Sequence, residues 1–257
     1  MDIAAHVDAI GVQGRLLAAA AASAGLDAAV PSCPDWVVRD LVRHQGGVHR
    51  WATGIVAGPR TQAWNVSLDE VVGAWPSDDE LLSWFGDGVD RLVEVLSSAD
   101  PRLDCWTFLA APSPLAMWAR RQAHETSVHR VDAELAAGQS VTPFAAPLAA
   151  DGISELLTCF ITRPHGTLRS DPPKSLRVTC SDGPGDWLVR IGPDQVCTVP
   201  ADDPPGAAEH ADCQVSGSTQ DLYLTLWNRR PADGLPAVGD AGVLDLFLDQ
   251  VHIRWTR

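Results

Sequence analysis

Apolar residues recur at helical spacing through the first 163 positions of this chain, and then the pattern changes. That switch of period most constrains the fold, because one layer type cannot satisfy both halves. Asp2 is placed to cap a helix running to about Ala24, with Ile3, Val7, Ile10, Leu16 and Leu17 inside. The stretch from Val30 to Pro34 breaks it, and Asp35 is placed to cap a second helix to about Ala57. Gly46 and Gly47 weaken that helix and allow close packing. A long connection carrying Trp64 and Trp75 leads to a third helix, from Asp78 or Asp79 through Leu96. Ser113 followed by Pro114 starts a fourth helix, which Gly138 ends. A fifth covers Ala146 to Ile161. Pro164 to Pro173 reads as a linker. Beyond it come short alternating runs at Leu176–Cys180, Trp187–Ile191, Val196–Val199 and Asp212–Val215. A helix capped by Ser218 and a last helical stretch over Val243–Val251 follow. The expected fold is α+β: a helical bundle over 1–163 and a small α+β domain over 174–257.

The chain has 257 residues and a formal net charge of −14, with Lys174 its only lysine. No basic stripe exists to displace counterions, so nucleic acid is not the expected partner. The N-terminus lacks a basic-plus-apolar signal, and no apolar run suits a bilayer. The six cysteines include no Cys-x-x-Cys pair, which reads as reduced thiols in a cytoplasmic protein.

The chemistry-bearing residues are split between two helices. Glu125 and His129 stand four apart and therefore share one face, the side of Met117, Trp118, Val128 and Leu135. Arg121 and Asp132 lie on the same side. The opposite face, with Arg120, Ala123, Ser127, Arg130 and Glu134, reads as the solvated one. His44 groups with Val37, Leu41, Val48, Trp51 and Ile55, hence inward, whereas His49 reads as outward. A buried glutamate is costly unless it is paired or bound to a cation. Two readings follow. His44, Glu125 and His129 hold a metal together, or the histidines are core imidazoles and Glu125 pairs with Arg121. His124 points about 100° away from Glu125 and reads as a flanking residue.

Several segments together resemble the mycothiol-dependent maleylpyruvate isomerase family, a DinB-like group. One is Ser32-Cys-Pro-Asp-Trp36 through His44, followed by Gly46 to Trp51. Another is His124-Glu125 through His129 to Asp132. A third is Asp221 through Trp227-Asn-Arg229-Arg230, then Gly239-Asp240. The resemblance implies a DinB-like four-helix bundle followed by a domain similar to sterol-carrier proteins. It implies a divalent metal, usually zinc, on His44, Glu125 and His129, and mycothiol as a thiol cofactor. Where the family has Leu-Trp-Gly-Arg, this chain has Asn228 in place of the glycine. Arg229 then either holds an acidic substrate or the thiol, or is an exposed arginine favoured by a helix C-terminus. Arg121 is a second candidate for a substrate carboxylate. Asp132 either orients a metal ligand or pairs with an arginine such as Arg121.

The implied activity joins these parts. Three protein ligands leave one position open on zinc, and a thiol there favours its thiolate form. Thiolate attack on an electron-poor double bond gives cis–trans isomerisation of an unsaturated keto acid, or S-transfer if the adduct persists. The alternatives are a mycothiol S-transferase and, in another class, a non-catalytic small-ligand binding protein. The expected partners are a small electrophile and a thiol, with neither nucleic acid nor membrane.

Overall fold

The computed structural model describes residues 1–58, 60–200 and 210–253. It forms two compact units, one over Met1–Thr142 and a second beginning at Pro143. The linker-like stretch 164–173 lies inside the second unit.

The first unit is a bundle of four long helices. They are α1 (Ile3–Ala24), α2 (Val38–Ala57), α4 (Asp78–Ser98) and α5 (Pro114–Ala136), with a one-turn α3 (Leu68–Val72) between the second and third long helices. Contacts run α1 to α5, α5 to α2, α2 to α4 and α4 to α1, which closes the ring around one core. Asp2 caps α1, its Oδ1 accepting from Ala5 N at 2.8 Å. Ser113 caps α5 through Ala116 N, with Pro114 in the first turn. Gly138, at φ 64°, ends the same helix.

Ile10, Leu17, Leu41, Ile55, Leu81, Phe85, Leu92 and Trp118 are fully buried between these helices. Each such side chain stabilises the bundle by roughly 1.5–3 kcal/mol. Gly46 is the close-contact point: a Cβ there would overlap the ring of Trp84, which Arg50 also covers at 3.6 Å.

Two differences from the sequence reading stand out. The second helix starts at Val38 rather than after Asp35, because Pro34 to Trp36 belong to a closed loop. In that loop Val30 N donates to Trp36 O at 3.0 Å, and Trp36 N to Cys33 O at 2.8 Å. Also, α5 has no solvated face. Ala123, Ser127, Arg130 and Glu134 are all buried, because α1 covers the side read as outward. Polarity there is resolved internally: Arg130 donates to Glu134 at 2.6 Å, to Gln13 at 2.9 Å and to Thr142 O at 2.9 Å.

The second unit carries α6 (Ala146–Glu155), continued by a π-helical turn over Leu156–Phe160. Then come β1 (Lys174–Cys180), β2 (Asp186–Ile191), β3 (Val196–Pro200), β4 (Cys213–Gly217), α7 (Thr219–Leu226), β5 (Ala237–Gly239) and α8 (Gly242–Gln250). The sheet order is β3-β2-β1-β4-β5. β1 pairs parallel with β4 and the other neighbours are antiparallel. Leu176, Val178, Val189, Ile191 and Val215 are among its buried residues, and α8 packs on β1 and β4. β5, three exposed residues long, has no alternating pattern to announce it. Among the described residues no helix is long and apolar enough to cross a membrane.

Candidate metal centre

α2 and α5 pack side by side, and each turns one part of the site toward the other. His44 comes from α2; Glu125 and His129 come from successive turns of α5. One ligand atom from each lies within 4.8 Å of the other two. His44 Nε2 is 3.5 Å from Glu125 Oε1, and His129 Nε2 is 3.7 Å from the same oxygen. The edge of a tetrahedral zinc site with Zn–N and Zn–O bonds near 2.0–2.1 Å is roughly 3.3 Å. The donors therefore already sit near the separation such an ion requires. Two neutral imidazoles and a carboxylate are also a borderline-soft donor set that suits zinc.

The surroundings hold each donor in place. Arg121 Nη2 lies 3.1 Å from Glu125 Oε2, so the carboxylate's second oxygen is engaged away from the histidines. His129 Nδ1–H donates to Asp132 Oδ2 at 2.8 Å, which turns Nε2 toward Glu125. Asp132 is itself held by Ser32, whose hydroxyl donates to its Oδ1. The Trp36 ring covers the two histidines, with centroids 4.9 Å from His44 and 6.0 Å from His129. The loop between α1 and α2 thus reaches the site twice, through Ser32 and through Trp36.

Electrostatics follow the geometry. Burial works against a charged Glu125, yet His129, His44 and Arg121 hold it below the usual carboxylate range. Burial likewise works against a protonated His129, but Asp132 and Glu125 outweigh it and raise its pKa. Burial, helped by Arg50, His129 and His44 and opposed by Glu125, pushes His49 down to about 3.

His49 is not outward. It is fully buried, with Nε2 2.7 Å from the Gln45 amide and 2.9 Å from Thr126 Oγ1, and stacks on Phe85. The reason is that α2 packs on α4 as well as α5, so both its faces are covered. His124 is buried edge-to-face against His6 of α1, their ring centroids 5.9 Å apart. Arg229 belongs to the second unit, where its Nη1 donates to Trp227 O at 2.8 Å just after α7. Asn228 adopts φ 59°, the left-handed conformation that asparagine tolerates better than most residues. A glycine at this position would adopt the same conformation without strain. Ser32 and Trp36 were not singled out for the site from sequence. Both fall in the first matched segment, but no spacing rule links position 32 to 132.

Fold and site together define a DinB-like helical bundle carrying a candidate two-histidine, one-carboxylate centre, joined to a small α+β domain. Residues 7–134 match the family profile of the mycothiol maleylpyruvate isomerase N-terminal domain, and residues 147–248 match the C-terminal domain of the same family. The chain belongs to the mycothiol-dependent maleylpyruvate isomerase family. The crystal structure of a mycothiol-dependent maleylpyruvate isomerase is similar at TM-score 0.60 and 14% identity, covering 92% of this chain and 93% of that one. A mutant of a mycothiol-dependent maleylpyruvate isomerase gives TM-score 0.62 and 13% identity over the same shares. At these identities the likeness establishes the fold. Among curated proteins no relative matches.

Proposed function

We propose that this chain is a metal- and thiol-dependent isomerase acting on a small, electron-poor, unsaturated acid. The observation that carries the reading is the convergence of His44, Glu125 and His129 on one point inside a member of this family. A bound thiol supplies a nucleophile whose reversible addition to a double bond permits rotation, and a divalent metal, zinc by donor set, supplies the Lewis acidity that keeps its sulfur deprotonated.

The chain's own residues have defined parts in this reading. His44 and His129 offer Nε2, and Glu125 offers Oε1. Arg121 holds the other carboxylate oxygen, so its role is to position Glu125 rather than to bind substrate. Asp132 keeps a proton on His129 Nδ1 and leaves Nε2 as the donor atom. Trp36 shields the imidazoles from water.

The test is to load the protein with zinc, add mycothiol and maleylpyruvate, and follow the products by mass spectrometry and proton NMR. The trans isomer, formed only when thiol and metal are both present, is the expected result. Equal turnover without thiol would overturn the reading. A persistent thioether would replace isomerisation with S-transfer.

A further inference from the structure

The cavity of about 260 Å³ that His44 lines with Asp40 and Arg43 of α2 and Asp69 of α3 belongs to the site already described. A second group of ligating side chains stands apart from it, on another side of α5. His124 immediately precedes Glu125, and one residue turns a helix by about 100°. Glu125 and His129 meet His44 of α2, whereas His124 meets His6 of α1. α5 thus offers ligand atoms to two neighbouring helices.

His6 is 4% exposed and His124 is fully buried, with their ring planes 77° apart. One ring nitrogen of each lies within 4.8 Å of the other. Two nitrogens bound to one ion at about 2.0–2.1 Å stand roughly 3.3 Å apart at a tetrahedral angle and about 4 Å apart in line. Small ring rotations therefore suffice for both to reach a shared ion. Burying two polar rings in a helix interface carries a desolvation cost that apolar side chains would not. A cation taken by both rings at once offsets that cost, because neutral imidazole is a favoured ligand for copper, nickel and zinc. The path for an ion is short, since His6 stands one turn past the Asp2 cap at the start of α1.

We propose that His6 and His124 form a second metal site in the helical unit, which takes one divalent ion of the nickel–copper–zinc group through a nitrogen from each ring. With two imidazoles rather than two imidazoles and Glu125, it binds more weakly than the first centre and fills after it. The proposal is independent of the thiol reading: a chain without isomerase activity would still carry this pair.

The test uses the full chain loaded with one equivalent of Zn²⁺ and then titrated with Ni²⁺. Calorimetry counts the added ions, and NMR of the imidazole rings shows which of them the paramagnetic ion touches. The native protein is expected to take one Ni²⁺ that broadens the His6 and His124 signals and leaves the zinc content unchanged. His6→Phe keeps a ring in the interface and is expected to weaken Ni²⁺ binding at least about tenfold. His124→Gln is expected to do the same, and supplies the measurement if the first variant folds poorly. Unbroadened His6 and His124 signals in the native protein overturn the site, as does native affinity in either variant. Release of zinc with broadening of His44 and His129 instead would mean that Ni²⁺ enters only the first centre, which also overturns it.

Discussion

The Oδ2 atom of Asp132 accepts a hydrogen bond from His129 Nδ1 at 2.8 Å, and this contact selects which imidazole nitrogen faces Glu125. Both residues are fully buried and lie three apart on α5, so helix geometry alone keeps them in register. Replacing Asp132 by Asn removes the charge that fixes this tautomer. Zinc affinity of Asp132→Asn should fall about 10- to 100-fold, as for other partners of metal-bound histidines. Ser32→Ala should show a smaller loss, restored by Ser32→Thr. Competition with a chromophoric chelator measures both, and native affinity in Asp132→Asn contradicts the assigned role.

His44 and His49 separate ligand from scaffold on a single helix. His44→Ala should lose most bound zinc and stay folded, read by elemental analysis and circular dichroism. His49→Ala should keep its zinc but lose about 2–4 kcal/mol of stability, since it empties a buried, fully packed position. Zinc loss in His49→Ala would mean that the wrong histidine carries the metal.

Stability of the metal-free protein should peak in mildly acid solution. Glu125 is held below its ordinary 4.5, so its contribution is present above that pH and fades as the pH falls through the depressed folded value. His129 is raised above its ordinary 6.5, so its contribution is complete below that pH and fades as the pH rises through the elevated folded value. Both operate together between 4.5 and 6.5. Zinc competes with the proton on His129 Nε2 and should move the optimum upward. Thermal melts across pH, with and without zinc, check this; identical optima would contradict it.

Gly46→Ala should destabilise the bundle by about 1–3 kcal/mol despite alanine's higher helix propensity. The added methyl would meet Trp84, and Arg50 blocks the ring's retreat by stacking on it at 3.6 Å and donating to Trp84 O at 2.7 Å. Urea denaturation gives the value, and a stabilised variant would show that the ring yields.

The types of the long helices, and their ends at Asp2, Ser113 and Gly138, were legible because caps and periodicity agree locally; the start of α2 was not. The inward turn of Glu125 and His129 was legible for the same reason. His49 and the far side of α5 were not, since a helical wheel assumes one wet face. α5 lies against α1 on one side and α2 on another, and α2 lies against both α4 and α5. Polar residues such as Arg130, Glu134 and Gln45 fill those second interfaces with internal hydrogen bonds, which resemble solvent-facing positions in a one-dimensional reading. The contacts of Ser32 and Trp36 span 100 and 93 positions to α5, a distance no local pattern encodes.

The sharing of His44 between two environments divides labour along the first turns of α2. The cavity side of His44 is lined from α2 and the short α3 segment, whereas Glu125, Asp132 and His129 all stand on α5. A lineage with this architecture can therefore change which small molecules it admits while conserving how it holds an ion, by editing a loop and a half-turn of helix and leaving the central helix untouched.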